Sequence, residues 1–403
     1  MAIGSNPYSL AGVYRVSLYF SGTEFPFSKE SHLGILHMAE SSKLEIPMIR
    51  LQITDGIKFF KKNPSLLVEG CQLRVSLVAR DVADAEYTFR VNSIKNTPCA
   101  TGDVIDIDGY LDCPKFWVET TNLTYANKTS NDVLAEVAGY AGLKYEGTVT
   151  ADSQTWHGSK KRVHAFCSNV ANHGYASQTS CMKLAVCLDG TMRYKDVAML
   201  DTGSPVAKFI IGDIKQGYLT VVSHAPKNSG GSANRKAGYR QTHTEYSVYR
   251  ADLYRNHTNL MADINEGGEF NMNSDVRGAV TSGAHIVSPI DYGNVHDDYH
   301  RASYQNKRGT ALFNVGLDIL TNMPAISKPK VRVFDTVSVT APAALSEQNG
   351  LYVVVSHTIA ITSGQHHEKF ELTRRSAASD QSRSVASAKS FESTGTDLYK
   401  DEA

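Results

Sequence analysis

The sequence predicts a mainly β protein that is interrupted by a small α/β insert. Three observations support this fold class. Apolar and polar residues alternate before about residue 124, a helical period of 3.6 begins at Thr129, and alternation returns after Met182. With 403 residues, the chain is long enough for several domains that each bury a core. We therefore expect two β regions with one α/β module between them and long loops in the second region.

The first section, residues 1–124, has the alternation that is typical of β-strands. The segments with this pattern are residues 14–20, 73–79, 87–94 and 103–112. Turn-forming pairs separate them, for example Ser21-Gly22 and Glu69-Gly70. Several short strands at this spacing predict a β-sandwich or a β-barrel.

The insert, residues 125–198, contains two helical patterns followed by a hairpin. The apolar stripe of the first helix consists of Val133, Leu134, Val137, Ala138 and Ala141. Ser130 or Asn131 is expected as its N-cap, because a short polar side chain can accept from the first free backbone N–H groups. The stripe of the second helix consists of Val163, Phe166, Val170 and Ala171. Trp156 is expected as a core anchor, and Asp189-Gly190 predicts a tight turn between two strands.

The third section, residues 199–375, begins and ends with β patterns. Strands are predicted from residue 207 to residue 225, and again from residue 331 to residue 375 around the turn Asn349-Gly350. Residues 256–298 are polar and rich in glycine, which predicts long irregular loops. Residues 303–320 predict one helix, with Leu312, Val315 and Ile319 facing inward.

Two segments of this chain have the composition of exposed, mobile chain. Residues 227–241 are rich in Gly, Ser and Asn, and they predict a surface loop that is a candidate contact with a partner. Its basic residues are Lys227, Arg235, Lys236 and Arg240. Residues 376–403 are rich in Ser and Ala and poor in apolar residues, which predicts a flexible C-terminal tail or one that orders only against a partner.

The overall composition is that of a globular protein with no net charge. Lys plus Arg and Asp plus Glu both number 41, so bulk electrostatics gives no support for a nucleic acid or a membrane surface as partner. No apolar run is long enough to cross a bilayer, and the N-terminal residues lack the pattern of a secretory signal. The six cysteines show no Cys-x-x-Cys spacing, so we expect free thiols rather than a zinc site.

No catalytic constellation stands out in the sequence. His296 and His300 have the spacing of two helical metal ligands, but the residues around them favour a polar loop. His366-His367 is a second weak metal candidate. The serine–histidine pairs Ser223-His224 and Ser356-His357 are neighbours on predicted strands, so their side chains point to opposite faces. We expect no catalytic residue, no bound metal and no cofactor.

Two stretches of the chain resemble the hub proteins of bacteriophage tail baseplates, in the contractile-tail hub family. The first is the insert, with its order of helix, Trp156, helix and hairpin and its landmarks Leu134-Ala135-Glu136 and Leu188-Asp189-Gly190. The second is the closing β pattern, which runs from Asp335 through Tyr352-Val353-Val354 to a final strand that ends in arginine. The resemblance implies two β-barrel domains, residues 1–124 (facing the tail tube) and 199–375, split by the α/β insert at 125–198.

The resemblance also implies a function. Hubs of this kind are trimeric rings in which three subunits present six similar barrels, so that a three-fold object meets a six-fold tail tube. The implied role is a structural, non-enzymatic one in the virion, assembled in the host cytoplasm, with a part in tail assembly and genome delivery. The implied partners are further copies of the chain, the tail tube protein, the central spike protein, and other baseplate and tape-measure proteins.

Two other functions are compatible with the sequence. One is a hub or spike component of a contractile secretion system, which shares the barrel–insert–barrel plan but usually continues into a long β-prism. The other is a cell-wall hydrolase carried on a tail, which would need a pair of carboxylates in a cleft. Neither the prism extension nor a hydrolase-like lobe stands out in this sequence.

Overall fold

The computed structural model describes a chain that is built mainly from β-strands, with helices that contribute to the core of the insert. The described residues are 9–10, 14–79, 85–100, 102–177, 180–215, 217–228, 242–247, 254–258, 285–290, 302–303, 306, 315–322, 330–362 and 365–374. Within this part of the chain, no helix is long and apolar enough to cross a membrane. All six cysteines carry free thiols, as expected, and only Cys99 is exposed.

The alternating segments of the first section form one curved sheet, called here the first β region. Its strands are β1 (Ser9–Leu10), β2 (Tyr14–Phe20), β3 (Thr23–Glu24), β4 (Ser31–Ser41), β5 (Met48–Asp55), β6 (Gln72–Ala79), β7 (Ala85–Cys99) and β8 (Gly102–Leu111). They pair in the order β1-β2-β6-β7-β8-β5-β4, with β3 beside β2. A single helical turn, α1 (Phe59–Lys62), buries Phe60 against Phe20 and Phe25. Alternation thus places one apolar face of the sheet on a common core.

The insert has the helices and the hairpin that its sequence predicts. Its elements are α2 (Pro114–Trp117), β9 (Thr120–Thr121), β10 (Thr124–Lys128), α3 (Ser130–Ala141), β11 (Lys144–Gly147), β12 (Gln154–His157), β13 (Lys161–Arg162), α4 (Val163–His173), β14 (Met182–Val186) and β15 (Thr191–Asp196). Both apolar stripes are buried, and Trp156 is a core residue whose indole N–H donates to the carbonyl of Lys128. Gly190 has a φ of 74°, which suits the tight turn between β14 and β15.

The N-cap of α3 is Thr129, so the expectation of Ser130 or Asn131 is wrong by one or two residues. Thr129 has extended backbone angles, and its hydroxyl accepts from the backbone N–H of Asp132 at 3.2 Å. Ser130 is instead buried, and its hydroxyl contacts Asp152 at 3.0 Å. Three consecutive polar residues can each cap a helix, and tertiary contacts decide which of them does.

The third section closes into a barrel of six strands. Its elements are a 3-10 helix (Val197–Thr202), β16 (Ala207–Ile211), β17 (Leu219–Asn228), β18 (Thr242–Ser247), β19 (Tyr254–Thr258), β20 (His285–Ile290), β21 (Val315–Thr321), β22 (Thr336–Thr340), a second 3-10 helix (Ala343–Gln348), β23 (Gly350–Thr362) and β24 (Gln365–Arg374). The barrel order is β16-β17-β21-β24-β23-β22, and β22 pairs with β16 to close it. The predicted fold class, mainly β with an α/β insert, is confirmed.

Strand β23 belongs to both β regions. Its first half pairs with β22, its second half pairs with β4, and β24 follows it along both halves. A register shift between Val354 and Ser356 marks the change of partner. Val354 packs into the barrel core, whereas Ile359 and Ile361 pack into the core of the first β region. The two regions are therefore joined through one continuous sheet.

Two predictions for the third section are wrong. Of the helix predicted at residues 303–320, Ser303 and Asn306 are helical, but Val315–Thr321 is strand β21. Its inward positions Val315 and Ile319 are four apart, a spacing that suits a strand of period 2 as well as a helix. The prediction of irregular loops at 256–298 is wrong for residues 256–258 and 285–290, which belong to β19 and β20 and pair with β18 in a separate three-stranded sheet. The other residues of this range lie outside the described chain.

Candidate functional site: a buried junction between the two β regions and the insert

The candidate partner-contact residues are only partly within the described chain. Lys227 lies in strand β17 rather than in a loop, and its ammonium group is 2.7 Å from the carboxylate of Asp318. Lys369 contacts the same carboxylate at 3.2 Å. Lys227 is thus part of a charged patch on the barrel surface. Arg235, Lys236 and Arg240 lie outside the described residues, as does the predicted tail at 376–403.

The candidate metal-ligand residues also lie only partly within the described chain. His296 and His300 lie outside the described residues. His366 is buried and His367 is half-buried, because neighbours on a strand point to opposite faces. Within the described residues, no group of three or more metal-ligating side chains is positioned to hold an ion. His366 belongs instead to a buried cluster that joins strands β4, β23 and β24.

Glu40 holds three distant segments of the chain together. Its strand buries Leu36 and Met38, and alternation places Glu40 on the same inward face. One carboxylate oxygen accepts from the backbone N–H of Leu188, in the hairpin turn of the insert, at 2.6 Å. The other accepts from the N–H of Val333, just before the barrel strand β22, at 3.0 Å. A single carboxylate therefore links the first β region, the insert and the barrel.

Three more titratable side chains complete what we call the junction cluster, which consists of Glu40, His357, His366 and Glu368. His357 is the cross-strand partner of Glu40, and its ring stacks on Phe370 with 4.4 Å between ring centroids. Its Nε2 lies 2.9 Å from Glu368 Oε2, and its Nδ1 lies 4.0 Å from Glu40 Oε1. His366 Nε2 lies 3.2 Å from the other oxygen of Glu368. All four side chains are almost fully buried.

The surroundings shift the pKa values of the two carboxyl groups of the junction cluster in opposite directions. Burial by itself would raise the pKa of Glu368, but hydrogen bonds and charge from His357 and His366 outweigh it and lower the pKa to about 2. Burial raises the pKa of Glu40, and the nearby His357 and the two backbone N–H donors offset only part of that rise. Glu368 is therefore held as a carboxylate, whereas burial opposes the ionisation of Glu40 and its two N–H donors favour it.

A ring of ion pairs surrounds the junction on the insert side. Arg193 of β15 contacts Asp335 at 2.8 Å and Glu146 at 3.1 Å. Arg332 contacts Glu146 at 2.8 Å and Asp189 at 3.4 Å. Burial would raise the pKa values of Glu146 and Asp189. Arg332 instead lowers the pKa of Glu146, and Lys330 together with Arg332 lowers the pKa of Asp189. The insert is thus docked on residues 330–335 by charge-assisted hydrogen bonds.

The backbone of this docking segment is itself constrained. Phe334 has a φ of 70°, a left-handed conformation that costs a bulky residue of order 1–3 kcal/mol. Its N–H donates to the carbonyl of Val354 at 2.8 Å, and the N–H of Val354 donates to the carbonyl of Asp335 at 3.0 Å. The phenyl ring is buried against the insert side of the barrel. Residues 330–335 are thereby fixed to β23.

Sequence reasoning did not identify Glu40 and Glu368 as functional candidates. The available signal was a glutamate at an inward position of an alternating strand, as in the run from Leu36 through Met38 to Glu40. In the sequence, His357 stands out only as half of a serine–histidine pair and His366 only as a weak metal candidate. Their actual partners come from strands that are remote in sequence, which no local spacing reveals.

Comparison with known proteins identifies the fold. No protein-family model matches the chain, and no curated protein matches it. The tail protein from Neisseria meningitidis MC58 aligns with a TM-score of 0.60 and 11% identity, over 90% of this chain and 97% of that chain. The 43 kDa tail protein of prophage MuSo2 from Shewanella oneidensis aligns with a TM-score of 0.57 and 10% identity, over 90% of this chain and 98% of that one.

A type VI secretion system component from E. coli also aligns, with a TM-score of 0.45 and 8% identity, over 89% of this chain and 76% of that chain. The solved structures that share the fold of this chain with a TM-score above 0.5 thus include two phage tail proteins. The two tail proteins share its fold over nearly their whole length. At the level of the fold, the resemblance drawn from the sequence is confirmed.

Proposed function

We propose that this chain is a structural baseplate hub of a bacteriophage tail. Three copies form a ring that joins the tail tube to the central spike and takes part in tail assembly and genome delivery. The observation that supports this proposal is the fold, which is shared with two phage tail proteins over 90% of the chain. In this proposal the protein works in the virion tail, after assembly in the host cytoplasm, and carries no catalytic step.

The internal construction of the chain suits a connector that has to transmit force. A connector between tube and spike needs its domains to hold a fixed relative position while load passes through them. Here β23 is continuous through both β regions, and Glu40 bonds the insert to both of them. Breaking this junction would leave buried charges without partners, which is costly. These features support a rigid structural role.

The overall charge of the chain is compatible with contacts to other proteins of the tail. The chain has equal numbers of basic and acidic residues, and the absence of net charge lowers the barrier to self-association. For the tube contact we propose Lys227, Arg235, Lys236 and Arg240, which would pair with acidic groups on the tube protein. Other baseplate proteins and the tape-measure protein are further proposed neighbours.

The proposal is tested by locating the chain in an assembled tail. A peptide tag fused to the N-terminus, away from the proposed tube contact, would be labelled with a gold-coupled antibody on purified tails and viewed by electron microscopy. Label at the baseplate end of the tube supports the hub role. Label along the tube or at the head-proximal end, or purified tails that lack the chain altogether, would contradict it.

A further inference from the structure

An open groove of about 440 Å³ lies between the insert and the barrel. Its insert wall carries Ala171, Met182 and Leu184, and its barrel wall carries Phe334 and Val353. All five side chains are almost fully buried, and Phe334 shares a core with residues of the insert, so the groove follows the packed contact between the insert and the barrel. A groove of this size accommodates one or two large side chains of a peptide.

The charges at the groove are both positive. Lys43 and Lys183 line it, and none of the other described lining residues is charged. The ammonium group of Lys183 donates to the backbone carbonyl of Asn306, and burial lowers its pKa. None of the carboxylates in the described ranges forms an ion pair with Lys183. The groove is therefore suited to an apolar peptide that carries carboxylates.

Such a peptide occurs further along the same chain. Strand β24 ends at Arg374, and the preceding residue, Thr373, lines the groove. Residues 391–402 lie outside the described residues, and their sequence combines apolar and acidic side chains. The apolar ones are Phe391, Leu398 and Tyr399, the acidic ones are Glu392, Asp397, Asp401 and Glu402, and Lys400 is the one basic residue among them. The intervening residues 375–390 can span roughly 50 Å when extended, far more than the width of a groove that begins at Thr373.

We propose that residues 391–402 bind in this groove of their own chain. Leu398 and Tyr399 fill the space between the insert and the barrel, and Asp397 and its acidic neighbours face Lys43 and Lys183. Attachment next to the groove gives the segment an effective concentration in the millimolar range, so a weak contact is enough to keep the groove occupied. The contact is independent of the ring proposed above.

Photo-crosslinking in the full-length chain tests this inference. Tyr399 is replaced by the photoreactive residue p-benzoylphenylalanine, and the crosslinked peptides are identified by mass spectrometry. An equal mixture of nitrogen-15-labelled and unlabelled chains separates crosslinks within one chain from crosslinks between two chains. We expect crosslinks to the peptides that contain Met182 or Leu44, within one chain. Crosslinks at other sites, or crosslinks between two copies, would overturn the proposal.

Charge variants make the test specific. Lys183→Gln retains a donor for the carbonyl of Asn306 but removes the charge, so it should lower the crosslink yield roughly threefold to tenfold. The tail variant Asp397→Asn with Glu402→Gln, which leaves the groove unaltered, should give a similar loss. Lys144→Gln, at an exposed position of the same insert, is the matched control and should change nothing. If neither charge variant lowers the yield, the proposal is wrong, whether or not the ring forms.

Discussion

Glu40 is the residue on which the junction depends most directly. Both of its carboxylate oxygens accept from backbone N–H groups, and both donors belong to segments that are remote in sequence. A carboxylate can satisfy two such donors at once, whereas an amide has only one oxygen. The role of Glu40 is therefore a matter of hydrogen-bonding capacity as well as charge.

We expect Glu40→Gln to lower the free energy of unfolding by about 1–3 kcal/mol, because its amide NH₂ faces a backbone N–H that loses its acceptor. Urea unfolding at neutral pH measures this change. Glu86→Gln is the control, since Glu86 forms an exposed ion pair with Arg74 and should cost at most about 0.5 kcal/mol. Equal effects of the two substitutions would contradict the role given to Glu40.

The lowered pKa of Glu368 predicts that the protein loses stability at acid pH. Its pKa falls from an ordinary value of 4.5 to about 2 in the folded protein, so its ionised form stabilises the fold above pH 4.5. That stabilisation is lost as pH falls from about 4.5 to about 2. Glu40 acts in the opposite direction, because its raised pKa favours the folded state at low pH and penalises it as the pH rises through that pKa.

We expect Glu368→Gln to be less stable than the parent at pH 7 and to show a shallower loss of stability between pH 4.5 and pH 3. Thermal unfolding at several pH values would measure both effects. Glu371→Gln, at the exposed outer face of the same strand, is the control and should leave the acid slope unchanged. An acid slope that is the same in Glu368→Gln as in the parent would count against this assignment.

At the scale of elements, β23 couples the two β regions. Ile359 is fully buried in the core of the first β region although it comes from the last section of the chain. We expect Ile359→Ala to destabilise the protein by about 2–5 kcal/mol, because it leaves a cavity in a packed core. Thr358→Ala, at the neighbouring half-buried position, should cost less than about 1 kcal/mol.

Because β23 belongs to both β regions, the loss of stability in Ile359→Ala should also extend to the barrel. Hydrogen exchange should report faster opening in β22 and β24 as well as in β4. If faster exchange were confined to the first β region, the two regions would unfold independently, and the shared strand would not couple them.

Elements that depend on local signals were the ones that the sequence could predict. Both insert helices and the turn at Asp189-Gly190 follow from stripes and turn chemistry within a few residues. The sequence of strand β21 also fits a helix, because the spacing of Val315 and Ile319 suits the helical period of 3.6 as well as the strand period of 2. The pairing of β23 with β4 joins residues about 320 positions apart, for example His357 with Glu40, and no local pattern specifies it.

At the scale of the whole molecule, the proposed tube contact predicts a salt-sensitive docking step. Replacing Lys227, Arg235, Lys236 and Arg240 by glutamine should weaken binding to purified tail tubes and reduce its dependence on ionic strength. The fold should be retained, since Lys227 is half exposed and its two described ion pairs, with Asp318 and Glu371, contribute at most about 1 kcal/mol each.

The matched control for this docking step replaces four exposed lysines elsewhere. These are Lys61, Lys115, Lys144 and Lys208. Co-sedimentation with tubes at low and high salt would be the measurement. If both sets of four weaken tube binding equally, the effect reflects total charge, and the proposed contact is not a specific one.

Mass photometry of the purified protein measures whether three copies of this chain form the proposed ring. At concentrations near that of the assembling tail, the account predicts a dominant species at three times the chain mass of 44.1 kDa. Adding tube and spike proteins should shift that species to a larger complex. A protein that stays at the mass of one chain at every concentration, and that binds neither partner, would contradict the account.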